Sequence, residues 1–356
     1  MFMKKYILNF SYAFRPRKPL LTLRLVATFL GIFFRNKRPL RYVDLAIGYA
    51  CNLLCEHCFA NGLKRNGRRT LTPVEYGAIV KQAMALGAVN FSFQGGEPTL
   101  YPELLEFIRH SSPERNLISV TTNATLLDRR SLAELKKAGV DILTISLDSA
   151  VAEEHDRFRG VPGTFAKVME TIRLARAMGF KITLGGVVSS QNIRSAGLVQ
   201  LIEFAHKLGV IIFLALATPV GEWAGKEEVI LAKADHEHLA GLLKRYPLLR
   251  TDFEANFVHH GCGAVKEILY LTPYGDVLAC PFLHMSLGNV FEAPLADIRD
   301  RALEHPSLAA YAKVCLAAED PEFMGYNRGS FYGQEGAQDG VPRTLAACMA
   351  ARRGVA

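Results

Sequence analysis

Cys51-Asn-Leu-Leu-Cys55-Glu-His-Cys58 is the stretch on which the reading of this 356-residue chain turns. Three thiols fall within eight residues at C-x3-C-x2-C spacing, so they can wrap one side of a metal centre. Thiolate-rich sites select zinc or iron–sulfur clusters. A closed structural zinc site takes four protein ligands. With three, one metal position stays open, which suits a [4Fe-4S] cluster that binds a small molecule directly. The alternative is three buried cysteines packing as small hydrophobes. Glu56 and His57 lie between the last two of them, an odd choice for a buried apolar segment.

Downstream, residues 90–94 (Asn-Phe-Ser-Phe-Gln) read as a strand that runs into Gly95-Gly96-Glu97-Pro98. Two glycines at a strand end let the backbone approach a ligand closely. Pro98 stiffens the exit. Glu97 then falls at the carboxyl edge of a sheet, where α/β proteins place their ligands. Alone, this tetrapeptide is only a turn signal; after the cysteine triplet it is a strong one.

The two motifs together resemble those of radical S-adenosylmethionine (radical SAM) enzymes, over roughly residues 43–215. The resemblance implies that Cys51, Cys55 and Cys58 ligate a [4Fe-4S] cluster whose fourth iron is chelated by the amino and carboxylate groups of SAM. It implies that the Gly95, Gly96, Glu97 and Pro98 loop holds the SAM amine. His57 stands where an aromatic residue commonly precedes the third cysteine. The implied chemistry is reductive cleavage of SAM to a 5′-deoxyadenosyl radical that abstracts hydrogen from a substrate, fed by a reducing electron donor. An arginine suits the SAM carboxylate because its planar fork binds in bidentate fashion. The resemblance points to Arg159 for that role, with Asn123 and Ser146 near the ribose or methionyl part. Asn123 and Asp148 are also readable as turn caps, Arg157 as a surface charge, and Val187 and Val188 as core or as adenine contacts.

From residue 43 short apolar strands alternate with amphipathic helices. Strands are expected at 43–47, 90–94, 117–121, 142–147, 182–188 and 211–216, and helices at 73–86, 102–110, 130–138, 164–178 and 196–207. Thr72 before Pro73 reads as an N-cap. Residues 148–163, with His155, Arg157 and Arg159, read as a loop. The alternation implies a parallel sheet. The resemblance favours an α/β fold built as a partial (β/α)6 TIM-like barrel, open on one side, with a small α+β C-terminal iron–sulfur extension. Four regions are expected: an arm at 1–42, the barrel at 43–218, a helical connector at 219–254 and the extension at 255–356.

The connector is expected to contain a helix at 235–245, and the extension a hairpin within 266–280, a helix at 294–303 and a long loop at 316–343. It holds Cys262, Cys280, Cys315 and Cys348, and Gly275-x4-Cys280 follows Cys262 by a short hairpin. This resembles the SPASM/twitch extension, which implies an auxiliary [4Fe-4S] cluster on those four cysteines, with His284 able to replace one. Unrelated core cysteines or a structural zinc remain open readings.

The net charge of +8 is local. Residues 1–42 carry ten Lys/Arg and no Asp/Glu, leaving 32 basic and 34 acidic residues in the rest. Within the arm, Leu20–Phe34 is mostly apolar, broken by Arg24, and is flanked by Arg15, Arg17 and Lys18 before and Arg35, Lys37, Arg38 and Arg41 after. Fifteen residues are short of a bilayer span, which needs about 20. No small-residue cleavage site follows, so a signal peptide is disfavoured. Two readings stay open: an interfacial helix on an anionic membrane surface, and an extra helix packed on the barrel. No nucleic-acid module accompanies the basic residues. Clustered cysteines point to a metal protein of the reducing cytoplasm, peripheral on the inner face of the membrane if the arm binds lipid. The expected activity is peptide or protein modification. Modification of a lipid, isoprenoid or other small molecule is the alternative, and a non-catalytic iron–sulfur scaffold the remote one.

Overall fold

The computed structural model describes residues 12, 14–35, 39–254, 256, 261–329 and 344–353. Its strands are β1 (Tyr42–Gly48), β2 (Asn90–Gly95), β3 (Leu117–Thr122), β4 (Ile142–Ser146), β5 (Lys181–Val188), β6 (Ile211–Leu216), β7 (Leu249–Arg250), β8 (Ile268–Leu271), β9 (Asp276–Leu278) and β10 (Gly288–Asn289). They form one sheet in the order β10-β9-β8-β1-β2-β3-β4-β5-β6-β7. From β8 through β7 every pairing is parallel, while β8, β9 and β10 pair antiparallel. The six alternating strands are therefore all present, and the C-terminal hairpin continues the same sheet beside β1.

The register sorts side chains by face. Val43, Phe91 and Ile118 align across β1, β2 and β3, and all three are buried in the main core. Asp44, Ser92 and Ser119 align one residue on, which puts a polar row on the opposite face. The sheet is curled. A flat sheet would place β7 about 29 Å from β1. Yet Asp252, just past β7, acts electrostatically on Asp44 and Tyr42 of β1. A partial barrel results, with the apolar face under the helices and the polar face inside.

Local chemistry fixes the helix ends. Thr72 and Glu75 form the expected capping box ahead of Pro73–Ala85. Asp128 caps Arg129–Ala138, and Gly139 ends it in the left-handed conformation. Two expectations are corrected. Residues 152–159 form a helix, Ala152–Arg159, instead of continuing the 148–163 loop. Part of the 316–343 loop is the helix Pro321–Gly329, and residues 330–343 lie outside the described residues.

The arm is docked under the barrel, at the amino edge of the strands. Helix Pro19–Arg35 buries Leu21 against Val89, Leu117 and Ile142. Arg24 does not break the helix; it turns inward and donates to the carbonyls of Ala88 (2.7 Å) and Arg115 (3.1 Å). Lys18 reaches Asp141 and the carbonyl of Gly139 (3.0 Å), and Tyr12 donates to the carbonyl of Ile182 (2.7 Å). The other face leaves Leu23 and Phe34 exposed, at 66% and 79%. Among the described residues no helix is long and apolar enough to cross a membrane.

Candidate active site at the carboxyl edge of the sheet

The cysteine loop leaves β1 at Gly48 and is held by three neighbouring loops. From β2, Gly96 N donates to Gly48 O and Glu97 N to Ala50 O, each at 2.9 Å. Gly96 has to be glycine: a Cβ there would sit 2.2 Å from Ala50 O. Tyr101 accepts the Ala50 N–H at 2.8 Å. From β3, Asn123 Nδ2 donates to Asn52 Oδ1 at 2.8 Å and approaches Cys51 Sγ at 3.9 Å. From the far side of β4, Leu54 N donates to Arg159 O (3.2 Å) and Glu56 N to Phe158 O (3.1 Å).

Glu97 is fully buried, and its carboxylate accepts from Thr99 N (3.0 Å), Thr99 Oγ1 (2.6 Å), Thr122 Oγ1 (2.7 Å) and Asn123 N (2.7 Å). This side chain braces the glycine loop against the end of β3. Ser146 is half-buried at the carboxyl end of β4. The structure thus gathers Gly95, Gly96, Glu97, Pro98, Asn123 and Arg159 around the Cys51–Cys58 loop, with His57 inside it.

A charged group lies behind the thiols. Arg159 Nε donates to Asp148 Oδ2 at 2.7 Å, and Arg159 Nη1 donates toward Cys55 Sγ at 3.7 Å. Burial works against the guanidinium charge, but Asp148 and Cys55 more than offset it, and the pKa is raised. Burial likewise opposes the charge of Asp148, yet Arg159, His57 and His155 hold its carboxyl below the usual range. His57 stacks on Phe158 (centroids 4.4 Å apart, 13° between planes), with Trp223 at 5.8 Å. Burial pushes His57 down to about 4, so its ring is neutral at pH 7. Burial pushes the Cys55 thiol up to about 11, Arg159 notwithstanding. Unligated, these thiols stay protonated; a metal must displace their protons. Two buried atoms, His57 Nδ1 and Asp148 Oδ1, have no hydrogen-bond partner.

Three of the four C-terminal thiols, Cys262, Cys280 and Cys315, lie within electrostatic range of one another. Cys262 N donates to Ala312 O (2.7 Å), Cys315 N donates to Glu319 Oε2 (2.7 Å), and Cys280 follows β9. Cys280 and Cys315 each feel the charge of Cys262, and all three feel that of Asp252. Gly275 turns the hairpin at φ +83, where a Cβ would meet Asn289 Oδ1 at 2.9 Å, so the glycine of Gly275-x4-Cys280 has a steric reason. Cys348 lies on helix Leu345–Arg353, buried in the main core. The buried His284 Nε2 is 3.0 Å from Pro281 O. Among the described residues no three of His, Cys, Asp and Glu converge as the ligands of a single ion do.

Residues 45–202 match the radical SAM superfamily, and residues 262–315 match an iron–sulfur cluster-binding domain, SPASM. A protein of Methanococcus aeolicus named "Probable GTP 3',8-cyclase" is 31% identical over 207 residues, covering 57% of this chain and 68% of that relative. The chain belongs to the radical SAM superfamily. An AdoMet-dependent heme synthase of Methanosarcina barkeri is 25% identical over 317 residues, 77% of this chain and 90% of the relative. In fold, the chain resembles Streptococcus suis SuiB bound to its precursor peptide SuiA, with a TM-score of 0.59 and 18% identity over 80% of this chain and 69% of that one. This radical SAM protein is an enzyme, and its two matched domains imply [4Fe-4S] clusters and SAM.

Several residues of the site carry no sequence signal. Tyr101 and Trp223 act through contacts between distant segments. Gly221 is the sharpest case: at φ +62 a Cβ would lie 2.1 Å from Cys58 O, and Glu222 N donates to that same carbonyl at 3.1 Å. Gly225 shares the left-handed backbone (φ +78) but has nothing within 4 Å. Each Gly→Ala change carries a backbone cost of about 1–2 kcal/mol. Only Gly221→Ala is expected to displace the cysteine loop. Measured after anaerobic reconstitution, iron content falls in Gly221→Ala and holds in Gly225→Ala.

Proposed function

We propose that Cys51, Cys55 and Cys58 hold the SAM-binding cluster, and that Cys262, Cys280, Cys315 and Cys348 hold one auxiliary cluster. The convergence of the three loops after β2, β3 and β4 on the Cys51–Cys58 segment that follows β1 carries this reading. The residues fit the group: two half-buried thiols and one exposed thiol on a single loop, a glycine cradle against Ala50 O, and buried polar atoms of His57 and Asp148 still lacking partners. When bound, the reduced cluster and SAM supply a 5′-deoxyadenosyl radical that removes a hydrogen atom from the substrate. The backbone of Gly95 and Gly96, with Asn123, Ser146 and Arg159, would orient SAM, while Phe158 and Trp223 exclude water from behind the cysteine loop.

We take the substrate to be an organic small molecule, not a peptide, bound at the mouth of the barrel. Asp44, Ser92 and Gln94 line the inner face. Burial pushes Asp44 up to about 7, against hydrogen bonds from Ser92 and Gln94, and pushes Asp252 up to about 6. Support also comes from the heme synthase, a relative matched over nearly its whole length. Peptide modification, the first expectation from sequence, rests now on likeness of fold to SuiB. The test is anaerobic turnover of the reconstituted enzyme with dithionite and SAM, following 5′-deoxyadenosine. Iron-coproporphyrin III, the porphyrin in the name of another relative, the Fe-coproporphyrin III synthase of Methanosarcina barkeri, is the first probe and should raise 5′-deoxyadenosine formation above the substrate-free rate. Stimulation by peptides alone would return the assignment to the peptide class.

A further inference from the structure

Cys55 is held in register with the end of helix Ala152–Arg159 by the two backbone bonds that flank it, Leu54 N to Arg159 O and Glu56 N to Phe158 O. Gly160 ends that helix at φ +73, so close to the cysteine loop that a Cβ would lie 2.4 Å from Leu54 O. This packing sets the Arg159 guanidinium beside Cys55 Sγ, 3.7 Å from Nη1. Asp148 keeps it there through Nε at 2.7 Å. The brace is itself braced: Asp148 N donates to His155 Nδ1 at 3.3 Å, and Asp148 Oδ2 lies 3.6 Å from the same nitrogen. Arg159 and Asp148 are 8% and 5% exposed, so solvent does little to loosen the pair.

We propose that the Asp148–Arg159 pair is a positioning device that fixes a cationic hydrogen-bond donor on the Cys55 sulfur and thereby sets the reduction potential of the cluster bound there. The proposal rests on the reading that Cys55 ligates the cluster. Hydrogen bonds to sulfur and local charge are among the levers that set iron–sulfur potentials. A donor withdraws electron density from the thiolate and stabilises the reduced, more negative cluster, so the midpoint rises. A guanidinium has five N–H donors. Two are engaged here, one on Asp148 and one on Cys55, leaving others for a SAM carboxylate. Tuning of the potential and binding of SAM are therefore separable properties of one side chain.

The test is a redox titration of the full-length, cluster-loaded protein without SAM, followed by electron paramagnetic resonance. Arg159→Gln is expected to keep its iron and to show a midpoint more negative than wild type. Arg159→Lys is expected to shift the same way, since an ammonium cannot reach Asp148 and Cys55 together. Midpoints equal to wild type in both variants overturn the proposal, even if SAM binding is lost, because Arg159 would then be a SAM ligand alone. Should Arg159→Gln fail to retain the cluster, the lysine variant decides by the same criterion. Failure of the underlying assignment looks different: wild type would load no four-iron cluster in the barrel, or Cys55→Ala would keep it.

Discussion

Cys55→Ala abolishes SAM cleavage: anaerobic protein with dithionite and SAM yields no 5′-deoxyadenosine above a protein-free control. The fold should survive the change. The backbone around Cys55 is fixed by Leu54 and Glu56 bonding to Arg159 and Phe158, not by the thiol. Alanine removes one half-buried sulfur and leaves Cys51 and Cys58, too few to retain an iron–sulfur cube on this loop. Outer-sphere partners of a metal site are typically worth about 10–100-fold. Loss of a direct ligand should exceed that range and reach the detection limit. An unchanged thermal midpoint beside absent turnover would separate ligation from folding. Turnover close to wild type would refute the ligand assignment and reopen the reading of these cysteines as packing residues.

The strands and most helices were legible because their signals are local. Alternating burial in β5, the Thr72–Glu75 cap and the Gly139 stop can each be read within a few residues. Helix Ala152–Arg159 was not legible. Its sequence, Ala-Glu-Glu-His-Asp-Arg-Phe-Arg, has one large apolar residue, and Val151 offers no capping side chain. What holds it is tertiary: Phe158 stacks on His57, and Arg159 pairs with Asp148. The parallel pairing of β1 with β8 was equally hidden, since it joins Tyr42 to Ile268 and no short-range pattern encodes it.

The candidate site shows the same division. The cysteines and glycines were legible by spacing. Arg159 was found through resemblance, but its tie to Asp148 depends on a helix that periodicity did not show. Glu97 was placed correctly at the sheet edge, while its four donors come from Thr99 and from Thr122 and Asn123 at the end of β3. Arg24 in the arm teaches a related lesson. A charge inside an apolar run reads as a break, yet here it donates to the carbonyls of Ala88 and Arg115, just ahead of β2 and β3.

Cys280→Ala halves the iron content, from about eight atoms per chain with both clusters formed to about four. Cys280 follows β9 within the hairpin, remote in sequence from the loop that leaves β1. It is half-buried against the main core, and its electrostatic companions are Cys262 and Asp252. Losing this thiol therefore empties one centre and spares the other, so SAM cleavage without substrate should persist. Cys348→Ala completes the experiment. If Cys348 is the fourth auxiliary ligand, it lowers iron and alters the auxiliary spectrum as Cys280→Ala does. If it only packs in the core, iron stays near eight and the loss appears as lowered stability, about 1 kcal/mol for a buried sulfur-sized void. Four iron atoms in wild type, unchanged by Cys280→Ala, would remove the auxiliary centre altogether.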